Sequence, residues 1–173
     1  MEQKKTSFPY YLLIVLALLI LLLVMLLRFA SVSLFSMEPA SITVTAEDGT
    51  QLNWVVEKNH WNGSAYDREH TFVCYDRAGL MPSQLPGGTA VTITLGGTIP
   101  DEVSLREYAL SSNETSAYGG IRLLEELNFY FNGKSGSFSL PQPGDAPVRG
   151  YLLTCSWGEN TCEYGLVVQL LPE

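Results

Sequence analysis

Hydrophobic and polar positions divide this chain into two parts. From Phe8 to Leu27 no residue is charged and almost every residue is apolar, whereas after residue 40 apolar and polar residues alternate in short runs between Gly, Pro and Asn clusters. A helix of twenty residues is roughly 30 Å long, the thickness of the hydrocarbon layer of a bilayer. The first part therefore predicts a transmembrane helix, and the second predicts β-strands.

Basic residues near this helix predict its orientation. Lys4 and Lys5 precede the apolar stretch, and only Arg28 follows it closely, so the amino terminus is expected in the cytoplasm. A cleaved secretory signal is the alternative, because Ser31 and Ser33 fit a small-x-small cleavage site. The chain is accordingly divided into a cytoplasmic tail (1–7), a transmembrane helix (8–29), a linker (30–40) and an extracytoplasmic domain (41–173).

The alternating segments of the domain favour an all-β fold. Ile42 to Ala46 and Leu52 to Val56 alternate on either side of Asp48-Gly49, which predicts a hairpin. Phe72 to Tyr75 is interpreted as a short strand, and Ile121 to Leu127 fits either a helix or a strand. Short strands without a helical crossover are typical of an antiparallel sandwich, and we expect an immunoglobulin-like β-sandwich of seven or eight strands.

The strongest hairpin pattern lies at the end of the sequence. Apolar residues alternate from Tyr151 to Trp157 and again from Cys162 to Leu170. A turn at Gly158-Glu159 would place Cys155 opposite Cys162, whereas a turn at Glu159-Asn160 would place Trp157 there. The run Gly150-Tyr151-Leu152-Leu153-Thr154-Cys155 resembles the tyrosine corner of immunoglobulin-like domains, although the Tyr precedes the Cys by four residues rather than two.

The two parts of the chain also differ in net charge. Three of the ten basic residues and one of the eighteen acidic residues lie in 1–30, so residues 31–173 carry a formal charge of −10. An acidic surface repels phosphate backbones and anionic headgroups. Nucleic acid is therefore excluded as a partner.

Three cysteines lie in the predicted domain, and an odd number leaves at least one outside any intramolecular bridge. Cys155 with Cys162 is the first candidate disulfide. A bridge from Cys74 to one of them, and three reduced buried thiols, are the alternatives.

Cys155 also belongs to the run Leu152-Leu153-Thr154-Cys155, which resembles the Thr-Leu-x-Thr-Cys signature of sortases. Membership of that family would imply a barrel fold and a transpeptidase in which Cys155 attacks a peptide carbonyl, with a His and an Arg assisting. The sequence departs from the pattern because residues 162–171 contain no Arg. A sortase-like enzyme with a degenerate site is the alternative function.

The candidate binding residues are His60, Trp61 and Tyr66, which share a polar loop between Lys58 and His70. Aromatic side chains on loops are common recognition anchors, and the alternative is that Trp61 covers the end of the sandwich. His60, His70 and Cys74 match no common zinc spacing, so no metal or cofactor is predicted. We expect a non-enzymatic, membrane-anchored surface module, for which an extracellular protein and a cell-wall glycan are the candidate partners.

Overall fold

The computed structural model describes residues 10–34, 38–65 and 69–172. Residues 1–38 and 39–173 form separate units. In the first unit, helix α1 (Tyr10–Leu34) continues past the predicted end at residue 29. Side chains are described for residues 13–26 of this helix, and all of them are exposed. Among the residues that the structure describes, no helix combines the length and the hydropathy needed to cross a bilayer.

The described residues of the second unit form mainly strands and one short helix. The described residues form β1 (Ile42–Ala46), β2 (Trp54–Trp61), β3 (Ser64–Ala65), α2 (Thr71–Arg77), β4 (Ser83–Pro86), β5 (Ala90–Leu95), β6 (Glu102–Ser111), β7 (Gly120–Leu127), β8 (Ser135–Ser139), β9 (Val148–Trp157) and β10 (Asn160–Leu171).

These strands form two sheets that enclose one hydrophobic core. The small sheet has the order β1-β5-β8, and the large sheet has the order β3-β2-β10-β9-β6-β7, with β4 parallel to the end of β10. Alternate residues of both sheets, such as Val44 and Ile93 on one side and Leu153 and Leu166 on the other, are buried in a shared cluster. The predicted antiparallel sandwich is confirmed. The expected number of seven or eight strands is wrong, because ten strands are described. Three of them lie in the small sheet and seven in the large sheet.

Helix α2 covers the outer face of the large sheet. Phe72 and Tyr75, one helical turn apart, are fully buried with Leu152 and Val167. The strand predicted from Phe72 to Tyr75 is therefore wrong. The run of aromatic and β-branched residues resembles a strand, but the His70 side chain accepts a hydrogen bond from the Phe72 amide and caps a helix instead.

The hairpin predicted at Asp48-Gly49 forms only at its turn. The Asp48 carboxylate accepts a hydrogen bond from the Thr50 amide at 2.9 Å, and Thr45 bridges Gln51. Beyond the bridge the chain crosses to the large sheet, where Trp54 lies opposite Leu166. Strand β1 pairs with β5 instead. Alternation shows which residues face the core, and it does not show in which sheet a strand lies.

The closing hairpin has one of the two registers that the sequence leaves open. Cys155 lies opposite Cys162 around the turn at Gly158-Glu159. Gly158 has a φ of 58°, which two-residue hairpin turns require of their first residue. The Tyr151 hydroxyl donates to the Glu107 carboxylate at 3.3 Å. The expected tyrosine corner is therefore absent, since that motif requires a backbone acceptor a few residues upstream.

Candidate functional site

The strand registers define two ends of the sandwich. The end that carries the turn at Gly158-Glu159 is called the hairpin end, and loops 96–101 and 128–134 lie there. The Trp157 indole donates to the Thr98 carbonyl at 3.0 Å, and the Leu95 amide donates to the Lys134 carbonyl at 2.8 Å. The opposite end, which carries residues 141–147, is called the linker end.

Trp61, the central residue of the predicted recognition loop, is buried. It ends β2, only 2% of its surface is exposed, and its ring meets that of Trp157 edge to face at a centroid distance of 5.6 Å. The Lys58 ammonium lies 5.9 Å from the centre of the Trp61 ring. Trp61 therefore covers the end of the sandwich, which was the alternative to its role as a recognition anchor. A buried indole has no surface that a partner could contact.

His60 joins β2 to the hairpin turn. Its Nδ1 lies 2.7 Å from the Glu159 carbonyl oxygen, so the ring nitrogen carries the proton and donates. Asn62, which follows Trp61, has a φ of 51°, and its amide donates to the Asn160 side chain at 2.8 Å. His60 is thus held in position as part of the hairpin end. Tyr66, the third candidate, lies outside the described residues.

Among the described residues of this end, Tyr130 is a strongly exposed aromatic residue. Its side chain is 81% exposed, whereas its neighbours Phe129 and Phe131 pack against the core. Residues 128–134 are called the Tyr130 tip. Alternation predicts this arrangement, because consecutive residues of an extended segment point to opposite faces. Tyr130 was not among the predicted binding residues, which all came from the polar loop between Lys58 and His70. The signal that could have found it is the alternation of Phe129, Tyr130 and Phe131.

Internal contacts stabilise the Tyr130 tip. The Phe129 ring lies 6.0 Å from that of Phe131 and 6.4 Å from that of Phe138, measured between centroids. The Asn132 side-chain oxygen accepts hydrogen bonds from the amides of Lys134 and Ser135. A recognition residue on a segment fixed in this way loses little conformational freedom when it binds.

Ile99 adds a second exposed apolar side chain next to the tip. It is 53% exposed, and its methyl groups lie within 4 Å of the Cβ position that a side chain at Gly133 would occupy. Asn132 and Lys134 of the tip are exposed polar neighbours. The hairpin end therefore presents two exposed apolar side chains, those of Tyr130 and Ile99, together with exposed polar side chains of the tip.

Cys155, the nucleophile that the sortase resemblance implies, lies inside the sandwich. Its side chain is fully buried opposite Cys162, and burial raises the pKa of its thiol far above the ordinary value, with a smaller contribution from Cys162. A nucleophilic cysteine needs the thiolate and access to substrate. Cys155 has neither property in this conformation, and both cysteines of the candidate disulfide are thiols.

The remaining histidine and cysteine do not assemble a metal site. His70 caps α2 and stacks on Phe72, while Cys74 lies near Glu57. Burial is the largest cause that lowers the pKa of His70 and raises the pKa of Cys74. Within the described ranges, no group of three His, Cys, Asp or Glu side chains is placed to hold a metal ion.

A cleft of about 550 Å³ opens at the linker end. Its lining comes from the end of β6, the start of β7 and the segment before β9. The charged residues of the lining are Arg122 and Asp145, neither of which stood out in the sequence.

Comparisons with known proteins give little further information. No protein-family model matches the chain, and no curated protein matches it. Among solved structures, it is similar to a chitin binding domain from Burkholderia pseudomallei, with 10% sequence identity and a TM-score of 0.40. That match covers 56% of this chain and 60% of the other. A likeness of this size supports no inference about ligand or mechanism.

Proposed function

We propose that this protein is a non-enzymatic binding module, held at the outer face of a cell membrane by its N-terminal helix, which recognises a cell-wall glycan through the Tyr130 tip. The main support for the proposal is the difference in solvent exposure between neighbouring aromatic residues of one short segment. Phe129 and Phe131 are anchored in the core, and the Tyr130 ring between them is 81% exposed. A partner that covers an exposed aromatic ring gains a large apolar contact, and Tyr is enriched among the residues that dominate binding energy.

The chemistry of the tip suits a sugar better than a protein. A protein interface usually buries about 1,200–2,000 Å² around a contiguous apolar centre. Among the described residues of the hairpin end, the large exposed apolar side chains are those of Tyr130 and Ile99, and Asn132 and Lys134 of the tip are exposed polar residues. A sugar ring has a C–H face that stacks on an aromatic ring and hydroxyl groups that bond to polar neighbours. The tip has both kinds of group.

Membrane attachment is supported by the composition of the N-terminal segment. Phe8 to Leu27 contains no charged residue, and the described apolar side chains of α1 are more than half exposed. Contiguous apolar surface of this extent is unfavourable in water and indicates a membrane or protein contact. Carbonate washing of native membranes tests the anchor: the protein should stay in the pellet, and protease added to intact cells should remove residues 41–173. Release by carbonate would overturn the attachment.

Co-sedimentation tests the glycan ligand. Full-length protein in detergent is mixed with purified, insoluble cell-wall polysaccharide, and the bound fraction is measured. Tyr130→Ala should abolish sedimentation, because it removes the stacking face. Leu123→Ala is the matched control, since Leu123 is a 55% exposed apolar residue on β7. Equal sedimentation of Tyr130→Ala and wild type, or no binding by either, would contradict the proposal.

A further inference from the structure

The side chains of the small sheet that point away from the core are almost all hydroxyls. In β1, β5 and β8 they alternate with residues that are buried or packed against the core. The outward residues, called the hydroxyl face, are Thr43, Thr45, Ala90, Thr92, Thr94, Ser135, Ser137 and Ser139. None of them is charged, although residues 31–173 carry a formal charge of −10. The charged residues Glu47 and Lys134 lie beyond the ends of these strands.

Strand pairing aligns the hydroxyls in rows across the face. Thr45 lies opposite Thr92, and Thr92 lies opposite Ser137. The Oγ1 atom of Thr92 and the Oγ atom of Ser137 are 2.9 Å apart, so one hydroxyl donates to the other. The same pairing forms a second row from Thr43, Thr94 and Ser135. The rows are roughly 7 Å apart, which is the rise of two residues along a strand.

Tyr130 extends the first row beyond the edge of the sheet. Phe131 bridges Gly136 of β8 in antiparallel register, and the next pair in that register is Tyr130 with Ser137. The Tyr130 backbone lies against β8, because a Cβ at Gly136 would be 2.8 Å from the Tyr130 carbonyl oxygen. Gly136 is buried and Phe131 packs against the core. Alternation therefore directs Tyr130 to the same side as Ser137.

The exposed ring and the hydroxyl row thus belong to one surface. Neighbouring strands are about 4.8 Å apart, so the row from Thr45 to Tyr130 is roughly 14 Å long. The net charge of the domain disfavours an anionic ligand, and within the strand bounds the face offers no carboxylate to a cationic one. Hydroxyl groups both donate and accept, so they suit an uncharged ligand that carries hydroxyls along its length.

We propose that the hydroxyl face and Tyr130 together bind an extended run of an uncharged polysaccharide. This inference rests on the glycan binding proposed for the Tyr130 tip, and it adds the class and the direction of the ligand. One sugar unit stacks on the Tyr130 ring. The following units cross Ser137, Thr92 and Thr45, whose hydroxyls exchange hydrogen bonds with those of the sugar.

Inhibition of co-sedimentation by soluble fragments tests the length and the charge of the bound run. Wall polysaccharide is partly hydrolysed, and its disaccharides and hexasaccharides are separated into uncharged and anionic fractions. Each fraction then competes with the insoluble polysaccharide for full-length protein in detergent. We expect the uncharged hexasaccharide to inhibit at concentrations at least about tenfold lower than the disaccharide, because it also reaches the hydroxyl row. Equal inhibition by the two lengths, or stronger inhibition by anionic hexasaccharides, would overturn the proposal.

Substitution of the hydroxyls separates the face from the tip. Thr45→Val combined with Thr92→Val removes two hydroxyls of the row and keeps β-branched side chains that suit a strand. Hexasaccharide binding should weaken by at least about fivefold, because hydrogen bonds are lost, and disaccharide binding should not change. Thr154→Val is the matched control. Thr154 is a half-buried residue of β9 that points away from the core, on the other sheet, and its substitution should leave both affinities unchanged.

The outcomes distinguish this inference from the proposed function. If the double Val variant binds the hexasaccharide as wild type does while Tyr130→Ala abolishes sedimentation, the tip binds glycan and the hydroxyl face is not part of the site. If wild type itself does not sediment with the polysaccharide, the proposed function and this inference are both wrong.

Discussion

Cys155 lies directly opposite Cys162 across the β9–β10 hairpin, and both side chains are completely buried between the two sheets. The two cysteines therefore belong to the core as thiols that solvent does not reach. Burial also raises the pKa of the Cys155 thiol, so its reactive thiolate form is scarce at neutral pH.

This geometry predicts selective alkylation. In the folded protein, an alkylating reagent should modify Cys74, which is partly exposed, well before Cys155 or Cys162. All three thiols should react once the protein is unfolded. Intact-mass measurements over time, with and without denaturant, follow the added groups. Equal rates for all three cysteines in the folded protein would contradict the structure.

The position of Trp61 predicts a large effect on stability. Trp61→Ala removes a side chain that is 2% exposed and that packs against Trp157. Truncation of buried aromatic residues to Ala typically lowers the free energy of unfolding by about 3–5 kcal/mol. Chemical denaturation of the full-length protein measures the change.

Tyr130→Ala is the matched control for that measurement. Its side chain is 81% exposed, so its removal should change the free energy of unfolding by no more than about 0.5 kcal/mol. If both substitutions had the same effect on stability, the assignment of Trp61 to the core and of Tyr130 to the surface would be wrong.

The sequence predicted those features that depend on local alternation. The pairing of β9 with β10 was one of two registers, and the choice between them depended on the turn, where Gly158 takes a positive φ. The partner of β1 was not predictable, because Ile42, Val44 and Ala46 would face a core equally well beside β2 or β5. Which sheet contains a strand is decided by contacts between residues far apart in the sequence.

At the candidate site, too, contacts between residues far apart in the sequence could not be predicted. Composition directed attention to Trp61, because indole rings are frequent in recognition loops, but its partner Trp157 lies 96 positions further along the chain. A contact over that separation has no local signal. Tyr130, in contrast, was predictable from the alternation of Phe129-Tyr130-Phe131.

Because α2 packs closely on the large sheet, Gly150 is expected not to tolerate a larger side chain. A Cβ atom at Gly150 would lie 2.5 Å from the ring of Phe72, which is fully buried. Gly150→Ala should therefore force α2 away from β9 and lower the free energy of unfolding by about 1–3 kcal/mol, as overpacking usually does. Gly144→Ala is the control, because a Cβ there has only the Arg149 side chain at 4.0 Å. Thermal denaturation of the two variants should separate them clearly, and equal melting temperatures would contradict this packing.

Glu107 gives the domain a pH-dependent stability. Its carboxyl group is buried on the inner face of β6, where the Arg149 guanidinium lies 3.5 Å away and the Tyr151 hydroxyl donates to it. Burial raises the pKa of Glu107, Arg149 and Tyr151 oppose that rise, and Glu125 on the neighbouring strand adds to it. The net direction is upward, so the folded protein retains this proton at a pH where the unfolded chain has lost it.

The sign of the effect follows from proton binding. Below about pH 4.3, the ordinary value for Glu, both states bind the proton and the contribution of Glu107 is fully present. As the pH rises from there toward the raised pKa of the folded state, the stability supplied by Glu107 decreases by up to about 1.4 kcal/mol per pH unit. Glu107→Gln cannot ionise and should lack this dependence. Urea unfolding at several pH values should therefore show wild type losing stability relative to Glu107→Gln as the pH rises. A constant difference between wild type and Glu107→Gln across the range would contradict the upward shift of the Glu107 pKa.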